Sequence, residues 1–244
     1  MRSAAEAIKP ATGRLADPLD QVDYRLAQTP EQKDEIYRLR YRAYLREGAI
    51  RASADERVVD QFDDAPNAWV FGVYLQGELC SSIRITVVTP EWRSSPTLDV
   101  FGDILLPKLD QGMVFIDSTR FVADPDKARN IPELPYVTVR LGSTAGVHFN
   151  ADYGLAPVRP EHMAFYRRVF LHETWSEARL YPGLVKPVGL MASHLPSVRE
   201  RVLARYPFLR SSAFERRMLF DREGQLQPDG IVRPFERASI VPNS

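Results

Sequence analysis

The apolar positions of the chain follow two rhythms, and the switches between them mark out its elements. Short runs predict strands over 22–27, 68–75, 79–88, 115–124, 153–158, 173–180 and 186–192, by β-branched and aromatic content over 68–75 and 79–88 and by period-two alternation over 115–119. Helical spacing predicts helices from Pro30 to about Arg46 and over 134–150, 160–170 and 196–206, with a short helix near 100–106. The first helix has a clear start signal in Thr29-Pro30-Glu31-Gln32: a capping hydroxyl, Pro at the first helical position and an acid in the first turn. Gln76-Gly77 and Tyr181-Pro182-Gly183 read as the turns of two hairpins. Residues 1–21 and 210–244 lack sustained periodicity and read as an N-terminal arm and a C-terminal tail around one domain over 22–209. The order of elements predicts an α/β fold, a mixed twisted β-sheet flanked by helices.

Several charges break this pattern. The run Phe115-Ile116-Asp117-Ser118-Thr119-Arg120-Phe121-Val122-Ala123 reads as a buried strand, yet it carries Asp117 and Arg120. Ionised side chains are seldom buried without partners, so the two point either to a structural ion pair or to a cleft. Arg84 interrupts the strand over 79–88, and Arg40 lies off the row Arg38, Arg42, Arg46 that forms a solvated basic face on the first helix. Asp60, Asp63 and Asp64 crowd one polar segment, which is either a solvated turn or a shielded cluster suited to proton transfer. Arg40, Asp60, Asp63, Arg84, Asp117 and Arg120 read together as one set meeting at one face.

Net charge is zero, with 27 Arg to 5 Lys, which argues against a general nucleic-acid binder but allows local basic patches for an acidic partner. The apolar runs fall short of the roughly 20 residues that span a bilayer, so no integral membrane segment is expected. Cys80 is the single cysteine and the N-terminus has no apolar leader, which makes a cytoplasmic location the expectation. Cys80 itself reads as a small buried hydrophobe. The four histidines and one cysteine show no metal-ligand spacing, and neither a metal nor a bound cofactor is expected.

The order of the charges resembles that of the acyl-homoserine-lactone autoinducer synthases and the related N-acyl amino acid synthases. Leu39-Arg40-Tyr41-Arg42-Ala43-Tyr44 is similar to their first-helix motif, and Asp60-Gln61-Phe62-Asp63, Arg84 and Asp117-Ser118-Thr119-Arg120-Phe121 follow in the family's order. Ala156-Pro157-Val158-Arg159-Pro160-Glu161-His162-Met163-Ala164-Phe165-Tyr166 resembles the Pro-x-His-x-x-Phe-Tyr segment of N-acyl amino acid synthases. Asp117 stands where the autoinducer synthases have Glu, which weighs against a lactone product. The resemblance implies a single acetyltransferase-like (GNAT-type) domain that moves a long-chain fatty acyl group from a thioester to the amine of an amino acid. An autoinducer synthase and a non-catalytic domain binding an acyl donor or lipid are the alternatives.

Such a transfer needs a proton acceptor for the amine, donors for the oxyanion and an acid for the departing thiolate. The expected catalytic residues are Asp60, Asp117, Arg120 and Tyr166, the last carried by the resemblance as acid near the thioester sulfur. Arg40, Tyr44, Asp63, Arg84, Phe121 and Val122 are the expected substrate-binding residues, with the Phe121 and Val122 amides at a bulge of the central strand. After that strand, Pro125-Asp126-Lys127-Ala128-Arg129-Asn130 has no glycine to bring backbone amides onto a pyrophosphate. The expected donor is therefore acyl carrier protein rather than acyl-CoA, docking on Arg159, Arg167, Arg168, Arg199, Arg201 and Arg205. Val70, Phe71, Val73, Phe101, Leu105, Val137, Leu141 and Phe149 either line an acyl tunnel or fill the core.

Overall fold

The computed structural model describes residues 22–221. The arm expected over 1–21 lies outside them. Seven strands form one sheet: β1 (Val22–Leu26), β2 (Ala68–Leu75), β3 (Glu78–Val88), β4 (Phe115–Ala123), β5 (Tyr153–Val158), β6 (Glu173–Arg179) and β7 (Val188–His194). Their order is β1-β2-β3-β4-β5-β7-β6, with β4 in the middle. Every neighbouring pair is antiparallel except β4 and β5, which are parallel. The β2–β3 hairpin turns through Gln76 at φ 53° and Gly77 at φ 82°, the two left-handed residues that a two-residue turn requires.

Helices cover both faces. On one lie α1 (Pro30–Arg46) and α2 (Pro96–Leu109); on the other lie α4 (Leu134–His148) and α7 (Ala213–Phe220). The remaining helices are α3 (Lys127–Asn130), α5 (Met163–Phe170) and α6 (Leu195–Arg205). Thr29 and Gln32 close a reciprocal capping box at the start of α1, which buries Ile36, Leu39 and Ala43 against Val70, Tyr74 and Val122. Arg38, Arg42 and Arg46 stay on its wet side, facing Asp34, Asp124 and Asp126. The helix expected near 100–106 runs the whole of Pro96–Leu109, because Ser95 caps it and a kink at Phe101 absorbs the irregularity that hid its period.

Of the C-terminal tail expected over 210–244, residues 222–244 lie outside the described residues. Residues 210–221 continue onto the body, where Phe220 is buried among Trp69, Phe71 and Phe149 and Glu215 pairs with Arg140. Helix α7 buries only Phe220 and leaves the apolar Phe214 and Met218 exposed, which is what the sequence pattern conceals.

Candidate active site

The site begins with an irregularity in β4. Arg84 stands opposite Thr119 and Ser82 opposite Val122, so β4 carries one residue more than β3 between these pairs. Arg120 occupies this bulge with φ 54°. Strict alternation would aim Arg120 away from the face that Asp117 and Thr119 share. The bulge returns it to the α1 side, where its Cζ lies 5.9 Å from the Tyr44 ring.

Around it the loop over 60–64 supplies two carboxylates. Asp60 Oδ2 accepts from Arg120 Nη2 at 2.6 Å and Nε at 3.1 Å, while Oδ1 accepts from Arg84 Nη1 at 2.5 Å. Asp63 is held by Arg40 Nη1 at 2.8 and 2.9 Å and by Arg84 Nη1 at 3.0 Å. The loop also folds on its own acids, with the Asp60 amide donating to Asp63 Oδ2 and the Phe62 amide to Asp60 Oδ1. Burial pushes the Asp60 carboxyl up, but the Arg84 and Arg120 guanidiniums outweigh it and hold it at about 2. Burial likewise works against the Arg120 charge, and Tyr44 and Asp60 more than offset it, raising its pKa.

Beyond residues 115–117, which pair with 153–155, β4 and β5 part. The gap is a cleft of about 1170 Å³, counting its open side, walled by β4 residues 118–123, Pro157 and Val158 of β5, Tyr44 of α1 and Tyr166 of α5. Pro157 has no amide to leave unpaired at this divergence. On the α4 side of the sheet lies a second, mainly apolar cavity of about 710 Å³, counting its open side, between α4, α5 and α6. Ser118 and Tyr166 belong to both walls. Tyr166 is buried there, and burial keeps its hydroxyl protonated well above the usual range.

Of the ten expected site residues, Tyr44, Arg120, Phe121, Val122 and Tyr166 line the cleft, and Asp60 sits one bond behind Arg120. The side chains of Arg40, Asp63 and Arg84 have no exposed surface, and together they lock the loop that carries Asp60. Asp117 does not line the cleft. It faces α2, fully buried, accepting from Thr97 Oγ1 at 2.7 Å, with the Tyr181 hydroxyl 3.3 Å from that oxygen. It does not pair with Arg120. Burial raises its carboxyl to about 6 in spite of Thr97, Ser95 and Arg84. Val70, Phe71, Val73, Phe101, Leu105, Val137 and Leu141 fill the core.

The sequence reading missed part of the walls. Glu47, Arg159 and His162 line the cleft as a linked group, with Arg159 Nη2 2.6 Å from Glu47 Oε2 and 2.8 Å from His162 Nε2. Arg159 is therefore not free for docking. The apolar cavity is walled by Gly142, Gly146 and Gly154, whose absent β-carbons were the available signal. Among the described residues no cluster of His, Cys, Asp and Glu could hold a metal ion, and no helix is long and apolar enough to cross a membrane.

The model of the FeeM N-acyl amino acid synthases matches residues 35–194, more than half of the chain and every residue that lines the cleft. The chain belongs to the N-acyl amino acid synthase FeeM family. Its structure is similar to that of FeeM from uncultured soil microbes, with a TM-score of 0.64 at 18% identity over 75% of this chain and 97% of that one. A CoA-dependent acyl-homoserine lactone synthase, BjaI, solved with SAM and isopentyl-CoA, superposes with a TM-score of 0.51 at 11% identity over 78% and 89% of the two chains. At these identities both show the fold, the GNAT-like sheet expected from the motifs. In sequence, an acyl-homoserine-lactone synthase of Enterobacter agglomerans is 27% identical over 103 residues, 41% of this chain and 45% of that protein, so the match spans under half of the relative.

Proposed function

We propose that this family member is an N-acyltransferase that moves a long-chain fatty acyl group from the thioester of acyl carrier protein to the amine of an amino acid. The observation that carries the reading is that the cleft holding Arg120 adjoins a mainly apolar cavity, with Ser118 and Tyr166 in the walls of both. A thioester needs both, one for the reacting head and one for the chain. Arg120 spends Nε and Nη2 on Asp60, which leaves Nη1 for a substrate carboxylate at the cleft wall. Asp60, held at about 2, is a weak proton acceptor and serves by orienting Arg120.

In the reaction the neutral amine attacks the thioester carbon, the C–N bond forms and the C–S bond breaks. The oxyanion is received, on this reading, by the amides of Phe121 and Val122 at the β4 bulge. The amine releases its proton to cleft water, from which the departing thiolate takes one up, while Tyr166, whose hydroxyl burial keeps protonated, donates a hydrogen bond to the thiolate as it forms. The loop after β4 supports the carrier protein over coenzyme A, since it has no glycine and its helix α3 is only Lys127–Asn130.

Mass spectrometry of lipids from cells overproducing the wild type, Arg120→Lys and Tyr166→Phe tests this. Abundant N-acyl amino acids are expected in the wild type alone, with both variants folded and turnover reduced about 100-fold or more. Acyl-homoserine lactones in the extract would give the chain the reaction of the Enterobacter relative, and extracts matching the empty vector would leave a binding domain.

A further inference from the structure

Depth inside the apolar cavity can be counted from the register of its walls. Ser118, shared with the cleft, marks the mouth, and a β-carbon on Gly142 would come 2.7 Å from its Oγ. One turn further along α4, about 6 Å away, a β-carbon on Gly146 would come 2.8 Å from Leu195 Cδ1. Along the sheet, two residues back from Ser118 and about 7 Å deeper, Ile116 pairs with Gly154. A β-carbon on Gly154 would come 3.3 Å from Leu195 Cδ2. Helix and strand thus lead inward in the same sense and end at the same side chain. The Leu195 isopropyl group occupies the space of two missing β-carbons and forms part of the cavity wall. Ser193, opposite Gly154 and 5% exposed, has a hydroxyl with no partner among the described residues and lines this same end. Space beside it is left unfilled by protein atoms.

We infer that Leu195, seated on Gly146 and Gly154, is the stop that sets how long an acyl chain the cavity accepts. The inference rests on the acyltransferase reading for its substrate, but the stop acts on any straight alkyl chain entering past Tyr166. Leu195 is a specificity determinant and takes no part in the bond changes.

The test is calorimetric titration of the purified full-length protein with saturated fatty acids from octanoate to stearate. For the wild type, affinity should rise about fourfold per methylene while new apolar surface is buried and stop rising once the chain end meets Leu195. Leu195→Ala should move that break to longer acids by about two carbons, the length its truncated side chain vacates. Leu195→Phe and Gly146→Ala should move it to shorter acids, the latter by pushing Leu195 off its seat. Folding of each variant is checked by circular dichroism. A break that stays put in all three, or shifts the same way in all three as general loosening would, overturns the stop. So does the absence of fatty-acid binding to the wild type. Extracts without N-acyl amino acids would sink the acyltransferase reading while the titration series still decides the stop.

Discussion

Two carboxylates in this molecule are tuned in opposite directions, and their partners explain why. Asp60 meets two guanidiniums and is held at about 2, whereas Asp117 is fully buried, has a hydroxyl on Oδ1 and leaves Oδ2 without a partner among the described residues, and rises to about 6. The sign of the stability change follows. Below pH about 4 Asp117 is protonated both folded and unfolded. As pH rises from there to about 6 the unfolded chain releases its proton while the folded chain retains it, so stability falls, and above about 6 the loss is complete. Asp117→Asn lacks this loss. Its melting temperature relative to the wild type should climb between pH 4 and 6 and level off above, by roughly 5–10 °C for about 2–3 kcal/mol. Thermal melts of both proteins across that range check it, and parallel curves would refute it. His172, which burial lowers to about 4, titrates in the same window but is present in both proteins and cancels. Such tuning is invisible in the sequence, where Asp60 and Asp117 are two acids in one motif order. What the sequence does display is that the charges belong together. The face Arg120 takes depends on the bulge it occupies, which breaks the alternation by which faces are counted.

Among the elements, those with a self-contained local signal were legible. The Thr29–Gln32 capping box, the Gln76-Gly77 turn and the β-branched and aromatic runs of β2 and β3 each determine their structure within a few residues, and the observed bounds follow them. Two elements whose order depends on distant contacts were not. Helix α2 is interrupted by the Phe101 kink, and α7 puts only Phe220 fully into the core, so neither shows a clean period. Phe220 nevertheless touches Trp69, Phe71 and Phe149, three aromatic rings from two elements. Truncating a core Phe removes its transfer energy and leaves a cavity, about 3–5 kcal/mol together. Phe220→Ala should therefore lower the melting temperature by roughly 10 °C, while the exposed neighbour change Met218→Ala, at 70% exposure, should leave it nearly unchanged. Equal, small effects in a thermal-shift comparison would return residues 210–221 to the status of a tail.

For the whole molecule, the placement of charge bears on the donor. The six arginines expected to form one docking surface are divided by the fold: Arg159 is tied to Glu47 and Glu161, Arg199 lines the apolar cavity, and Arg167, Arg168, Arg201 and Arg205 are exposed. Arg168 donates to the Tyr136 hydroxyl, next to Pro135 at the rim of the cleft, and Arg167 follows Tyr166 directly on α5. An acidic carrier protein delivering a thioester into the cleft would pass this rim. Exposed pairs are each worth at most about 1 kcal/mol, so reversing two charges, Arg167→Glu with Arg168→Glu, should raise the KM for acyl carrier protein roughly five- to tenfold at low salt. The difference should shrink toward none at about 1 M salt, where the Debye length is about 3 Å. On the proposed reading the amino acid binds deeper, at Arg120, and its KM should not move. Steady-state kinetics with both variables distinguishes the outcomes. A loss that persists at high salt would point to damage inside the cleft, and no loss at all would move carrier docking to another face or give the donor role to acyl-CoA.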